Sequence, residues 1–149
     1  MKALIQRVNR ASVSVENETI GSISKGLVVF IGVADSDREE EARYLADKIV
    51  NLRIFSDDKG KFNLSSLDIH GELLIISQFT LMAETRKGRR LSFITAAPPE
   101  KAEKLFNFFV GCVRNSSLEV STGRFQSHMF VEIINDGPVT IMLDSALKM

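Results

Sequence analysis

Apolar and polar positions alternate from Ala3 to Val15, which predicts a β-strand. Leu4, Gln6 and Val8 share one parity, while Ala11, Val13 and Val15 share the other. The apolar face therefore switches near Asn9-Arg10, and a bulge or bend is expected there. Glu16-Asn17-Glu18 reads as a turn into a second strand over Thr19 to Ile23. Leu27 to Ala34 is a continuous apolar run rich in β-branched residues, the pattern of a central strand buried on both faces.

Ser36-Asp37-Arg38-Glu39 matches a capping box, in which Ser36 would cap a helix and Glu39 would reach back to it. Ala42, Leu45, Ala46 and Ile49 then fall on one helical face. Arg53 to Phe55 and Lys61 to Leu64 read as short strands joined by a turn over Ser56 to Gly60. Gly71 precedes a strong strand predicted over Glu72 to Thr80. Pro98-Pro99 suits the first turn of a second helix, where a missing N–H costs nothing. Its apolar face is Ala102, Leu105, Phe106, Phe109 and Val113. The last third returns to strand at Thr122 to Phe125, Phe130 to Ile134 and Val139 to Leu143, with Asn135-Asp136-Gly137-Pro138 as a hairpin turn between the last two. These elements predict an α+β fold: mostly antiparallel β-sheets forming a barrel-like core with two packed helices, in a single domain over residues 1–149.

Composition narrows the function classes. Of the 149 residues, 44% are hydrophobic and 26% charged, the balance of a soluble globular protein. Such a chain buries roughly two-thirds of its unfolded surface and needs no metal or disulfide to fold. The single cysteine, Cys112, excludes an intrachain disulfide and fits a cytoplasmic location. No signal-peptide pattern opens the chain, and its longest apolar run falls well short of the ~18 residues that span a bilayer. Lys+Arg and Asp+Glu both total 19. Zero net charge argues against a protein that coats nucleic acid through its overall field. One local basic patch stands out: Arg86, Lys87, Arg89 and Arg90 around Gly88. It reads either as a solvated loop or as a contact to phosphate.

Conventional catalytic signatures are missing. There is no phosphate-binding G-x-x-x-x-G-K-[ST], no G-x-G-x-x-G, no H-E-x-x-H and no G-x-S-x-G. His70 and His128 with Cys112 make no zinc-ligand spacing, so no metal site and no cofactor are expected. Cys112 lies beside the apolar face of the second helix and reads as a small hydrophobe. An enzyme built from this sequence must lean on backbone donors and on groups of its substrate.

Two segments point further: Ser77-Gln78-Phe79-Thr80-Leu81 and Asn135-Asp136-Gly137-Pro138-Val139-Thr140. Together they resemble the two signature motifs of the D-aminoacyl-tRNA deacylases. Leu4-Ile5-Gln6-Arg7-Val8, Ala11-Ser12-Val13, Arg53-Ile54-Phe55-Ser56-Asp57, Thr122-Gly123-Arg124-Phe125 and Met129 stand in that family's order and spacing. The chain departs from the family pattern at Leu91, where proline is common, at the bulkier Gln126-Ser127-His128, and in the tail Ser145 to Met149.

The resemblance implies a homodimeric hydrolase, without cofactor, that cleaves the ester of D-aminoacyl-tRNA at sites shared between subunits. It also implies a cis Gly137–Pro138 peptide that reaches into the partner's site. There its carbonyls would exclude an L side chain while admitting a D-aminoacyl or glycyl group. Backbone N–H groups near Phe79 and Thr80 would hold the oxyanion. Ser77 and Gln78 would shape the adenosine pocket, Thr80 would position the substrate, and the adenosine 2′-OH would assist water. Phe79's side chain reads equally as core. Arg7 would steady the incoming Gly-Pro loop, or else be an exposed strand arginine without a role, and the resemblance adds some weight to a tRNA phosphate contact by Arg86, Lys87, Arg89 and Arg90. Two other classes fit the residues less fully: a nucleic-acid-binding module without catalysis, and a hydrolase of small D-amino acid esters.

Overall fold

The structure is a computed structural model that describes residues 1–148. Its organising element is β1 (Lys2–Val15). One edge of β1 carries β3 (Gly26–Gly32) beside residues 2–8 and β2 (Glu18–Ile23) beside residues 11–15. The turn from β1 to β2 places Glu16 and Asn17 at positive φ, 50° and 64°, which suits a tight hairpin whose twist matches its strands. Beyond β3 the sheet turns parallel, through β6 (Glu72–Ser77) and then β7 (Val120–Thr122). β7 curls back towards β2, where Ser121 Oγ donates to the Ser22 carbonyl at 3.3 Å, so the sheet approaches a closed barrel.

Alternate residues of the central strands feed two cores. Leu27, Val29, Ile31, Leu73 and Ile75 face outward into a cluster covered by α1 (Glu39–Asn51) and α3 (Pro99–Arg114). Val28, Leu74 and Ile76 face inward with Val8, Ala11, Val13 and Ile23. β1 changes sides as its sequence requires: Ala3 and Ile5 join the outer cluster, whereas Val8, Ala11 and Val13 join the inner one. The crossover falls at register shifts between Gln6 and Val8 and between Val8 and Arg10. In the N-terminal half, however, Ala3 and Ile5 carry the deep burial, and Leu4 and Gln6 are only half-buried.

Several expected elements are displaced. Helix α1 starts later than Ser36. Asp37 is drawn into the core, where its carboxylate accepts from the Ala34 N–H at 2.6 Å and the Met1 ammonium at 2.5 Å. The reciprocal cap is made instead by Glu41, which accepts from the Arg38 N–H at 2.9 Å. The helical face Ala42, Leu45, Ala46 and Ile49 is buried. Strands β4 (Phe55–Ser56) and β5 (Phe62–Leu64) are brief. A third helix, the single turn α2 (Ser66–Ile69), joins the two expected ones, capped by Ser65 and Asp68 bonding each other's main-chain N–H. β7 ends at Thr122, so Gly123 to Phe125 are not strand. Ser145–Leu147 forms a 3-10 turn, and Met149 of the tail lies outside the described residues. No described helix is long and apolar enough to cross a membrane.

The largest correction concerns the C-terminal pair of strands. Phe130 to Ile134 and Val139 to Leu143 do not form a hairpin. They are two stretches of one strand, β8 (Phe130–Asp144), running antiparallel to β1 along its whole length. Phe130 pairs with Ser14 and Asp144 with Lys2, while Gln6 faces Thr140 and Val8 faces Asn135. Arg7 alone therefore stands opposite the whole of Asp136–Val139, which bows out of the ladder. Side chains replace the lost ladder bonds. Asn135 Oδ1 accepts from the Val139 N–H at 2.8 Å, and Arg7 Nε donates to the Asp136 carbonyl at 2.9 Å.

Candidate active site

Parallel β3 and β6 end side by side, and beyond their carboxyl ends lies a cavity of about 710 Å³. A volume of this size suits a nucleoside-sized ligand, and strand ends in parallel sheets are a common place for one. The floor is Ile31, Val33 and Ile76. Ser77, Gln78 and Phe79 form one wall, and Phe125 to Met129 face them. Ala96, Ala97 and the start of α3 complete it.

The strand expected to run to Thr80 stops at Ser77. Gln78 N–H donates to the Ile31 carbonyl at 2.8 Å, and the chain then coils into a 3-10 turn over Phe79–Met82. Leu81 N–H returns to the Gln78 carbonyl at 3.2 Å. The N–H groups of Phe79 and Thr80, at the free end of this turn, are bonded to no acceptor among the described residues. Two uncommitted amides at a cavity rim are the donors an oxyanion needs.

Phe79 is not a core residue. Its ring is 60% exposed and packs on Phe93 with centroids 4.9 Å apart. Thr80 is exposed beside the cavity without lining it, and its Oγ1 accepts from Gln78 Nε2. Among the described residues, no carboxylate or imidazole is hydrogen-bonded to Thr80.

Arg7, Gly137 and Pro138 are absent from the cavity lining. Within one chain the two signature segments thus form two separate features. Arg7 serves its own chain: Nε holds the Asp136 carbonyl, Nη1 donates to the Ile54 carbonyl at 2.8 Å, and the guanidinium lies 5.2 Å from the Phe62 ring centre. The Gly137–Pro138 peptide is cis. Gly137 has φ +136°, and a Cβ there would stand 2.7 Å from Val139 Cγ2 and 3.1 Å from Arg7 Nη2, so only glycine fits.

The basic patch divides. Arg86 is taken up by Glu84, with Nη2 and Oε2 2.6 Å apart. Hydrogen bonds from the Arg86 side chain and main chain hold the Glu84 carboxyl down to about 2. Lys87, Arg89 and Arg90 remain exposed. No group of three His, Cys, Asp or Glu able to hold a metal exists among the described residues. Burial pushes the half-buried Cys112 thiol up, away from thiolate chemistry.

Sequence reasoning passed over part of the cavity wall. His128, set aside there, is part of the lining and meets Phe130 edge-on at 5.1 Å. Phe93 carried no periodic signal, and Phe125, predicted as the end of a strand, sits in irregular backbone as Phe93 does.

Comparison with known proteins agrees over nearly the whole chain. The profile of the D-Tyr-tRNA(Tyr) deacylase family matches residues 4–144. A D-aminoacyl-tRNA deacylase of Dehalococcoides mccartyi is 59% identical over 145 residues, covering 97% of this chain and 95% of that one. Its counterpart in Thermotoga petrophila is 53% identical over 146 residues, covering 98% of each. Among solved structures, a c-Myc DNA unwinding element binding protein superposes with a TM-score of 0.91 at 42% identity, over 97% of this chain and 98% of that one. A probable eukaryotic D-amino acid tRNA deacylase shares the fold, with a TM-score of 0.81 at 18% identity, over 95% and 97% of the two chains.

Proposed function

The chain belongs to the D-Tyr-tRNA(Tyr) deacylase family, and on that premise we propose that it hydrolyses the ester linking a D-amino acid to the 3′ end of tRNA. The observation that carries this reading is the cavity at the ends of β3 and β6, with the free N–H groups of Phe79 and Thr80 at its rim. The terminal adenosine occupies the cavity, shaped by Ser77 and Gln78. The ester carbonyl lies against the two amides, which stabilise its oxygen as water adds. Water is the nucleophile, assisted by the adenosine 2′-OH. Thr80 positions the substrate. The reaction so written uses no metal or cofactor.

Chirality is read by Gly137 and Pro138 of a second subunit, whose main-chain carbonyls occupy the space an L side chain needs. A D side chain points away, and a glycyl group has nothing to reject. Exclusion by a rigid wall lets one site serve many side chains. Support for a shared site comes from the separation of this loop from the cavity of its own chain. Support for a homodimer comes from the apolar residues left exposed on or near β8: Phe62, Phe130, Ile134 and Met142. The protein acts in the cytoplasm, where tRNA is charged.

Incubation with D- and L-tyrosyl-tRNA tests the proposal. Hydrolysis of the D form with the L form spared is expected. Equal rates on both, or no hydrolysis of either, would sink it. Binding of tRNA with the ester left intact would assign the protein to nucleic-acid binding alone. Equal efficiency on free D-tyrosine esters would remove tRNA from its function.

A further inference from the structure

We propose that the loop Thr85–Leu91 docks the phosphates of the acceptor strand of the substrate, as an affinity element separate from the cavity. The inference rests on the deacylase reading and adds to it a named binding surface. The loop is fixed to the cavity rim at its base. Glu84 and Ser92 bridge it, with N–H···O distances of 2.8 Å and 3.3 Å. The next residue, Phe93, packs on Phe79, and both rings line the cavity. The loop therefore projects from a fixed point beside the place where the terminal nucleoside enters.

Its charges are sorted by position. Arg86, in the stalk, is neutralised by Glu84, and this pair stiffens the base of the loop. Lys87, Arg89 and Arg90 flank Gly88 at the tip, where φ is +70° and a Cβ would meet nothing within 4 Å. None of the three forms an ion pair with a described residue. In a chain of zero net charge, three free cations beside the cavity form a local site for a polyanion. An RNA strand whose last nucleoside fills the cavity carries one phosphate per preceding nucleotide past that rim. Cation–phosphate contacts of this kind position a strand without reading its sequence.

The test compares the wild-type protein with a Lys87→Gln/Arg89→Gln/Arg90→Gln variant. KM for D-tyrosyl-tRNA is measured across a salt series, alongside hydrolysis of the D-tyrosyl ester of adenosine, which carries none of the phosphates. Neutralising three contacts should make the dependence of log affinity on log salt shallower by about 2, at ~0.7 per single-strand phosphate. KM for the tRNA should rise about tenfold or more at low salt, and the penalty should vanish on the adenosine ester. The same salt dependence and KM in both proteins would overturn the proposal. So would an equal loss on the adenosine ester, which would make the loop part of the cavity wall. Titration of uncharged tRNA separates this from the parent reading: if the ester is never cleaved, the deacylase assignment fails, yet unchanged tRNA affinity in the variant still rejects the loop.

Discussion

The guanidinium of Arg7 holds the main-chain carbonyl of Asp136 at 2.9 Å, and this bond ties the bulge of β8 to the strand it bows away from. The Asp136 carboxylate is 3.5 Å from the same nitrogen and is half exposed, so the ion pair is secondary to the carbonyl contact. A second bond from Nη1 to the Ile54 carbonyl links the bulge to the chain entering β4. Arg7 is 8% exposed, and the two carbonyls offset the loss of water around its charge.

Removing this side chain should destabilise the fold. Each hydrogen bond from a charged donor contributes ~1.5–3 kcal/mol, so Arg7→Ala is expected to lose about 3 kcal/mol or more in urea unfolding. Arg7→Lys should recover only part of that, because a single ammonium cannot repeat the two-carbonyl geometry of the planar fork. An Arg7→Ala protein as stable as the wild type would show that the bulge holds itself.

Asn135 closes the other end of the bulge. Its Oδ1 accepts from the Val139 N–H at 2.8 Å, and its Nδ2 donates to the Val139 carbonyl at 3.3 Å and to Thr140 Oγ1 at 3.1 Å. Asn135→Ala should cost ~1–2 kcal/mol and speed hydrogen exchange at the Val139 amide, with distant β1 amides unchanged. Unaltered protection at Val139 would contradict this role.

Close approach of backbones makes a third expectation. A Cβ on Gly26 would lie 1.8 Å from the Glu72 carbonyl oxygen, at the first pair of the parallel β3–β6 ladder. Main chain cannot yield as a side-chain tip can, so Gly26→Ala should prevent folding or lower stability by more than ~3 kcal/mol. Gly60→Ala serves as the comparison: nothing lies within 4 Å of its Cβ, and only its φ of +74° resists, at ~1–2 kcal/mol. Equal thermal shifts for the two variants would refute the steric account.

Much of this architecture was legible in the sequence because burial imposes period. The two-faced run in β3, the helical stripe of α3 and the change of face in β1 all follow from where apolar side chains must go. The errors share a different origin. The cap predicted for Ser36 and Glu39 forms instead at Arg38 and Glu41, because the intervening Asp37 turns inward to a buried ammonium. Asn135 to Pro138 has the composition of a tight turn, yet both flanking segments find their ladder on the same edge of β1, and no local rule registers a partner so distant in sequence. The cavity was legible through the Ser77–Thr80 motif and, by family spacing alone, through Phe125 and Met129. Phe93 packs directly on Phe79 of the motif, and the facing wall, Phe125–Met129, lacks period and is brought opposite by the sheet's curl.

Thr80 offers the sharpest chemical test. A hydroxyl nucleophile requires a base to take its proton, and among the described residues the one side chain bonded to Thr80 Oγ1 is the amide of Gln78, which donates. A hydroxyl accepting from that amide has a lone pair engaged and its proton unclaimed, which suits holding a substrate better than attacking it. Thr80→Ala therefore removes about one neutral hydrogen bond, ~1 kcal/mol, and should lower kcat by less than about tenfold. Loss of a true nucleophile in a hydrolase lowers kcat by about 10⁴ or more. Single-turnover rates on D-tyrosyl-tRNA separate the two cases, and Thr80→Ser should fall between the wild type and Thr80→Ala. A collapse of the Thr80→Ala rate to background, or an acyl group trapped on Thr80 after rapid quenching, would reverse the assignment and require a base that enters with the substrate or the partner subunit.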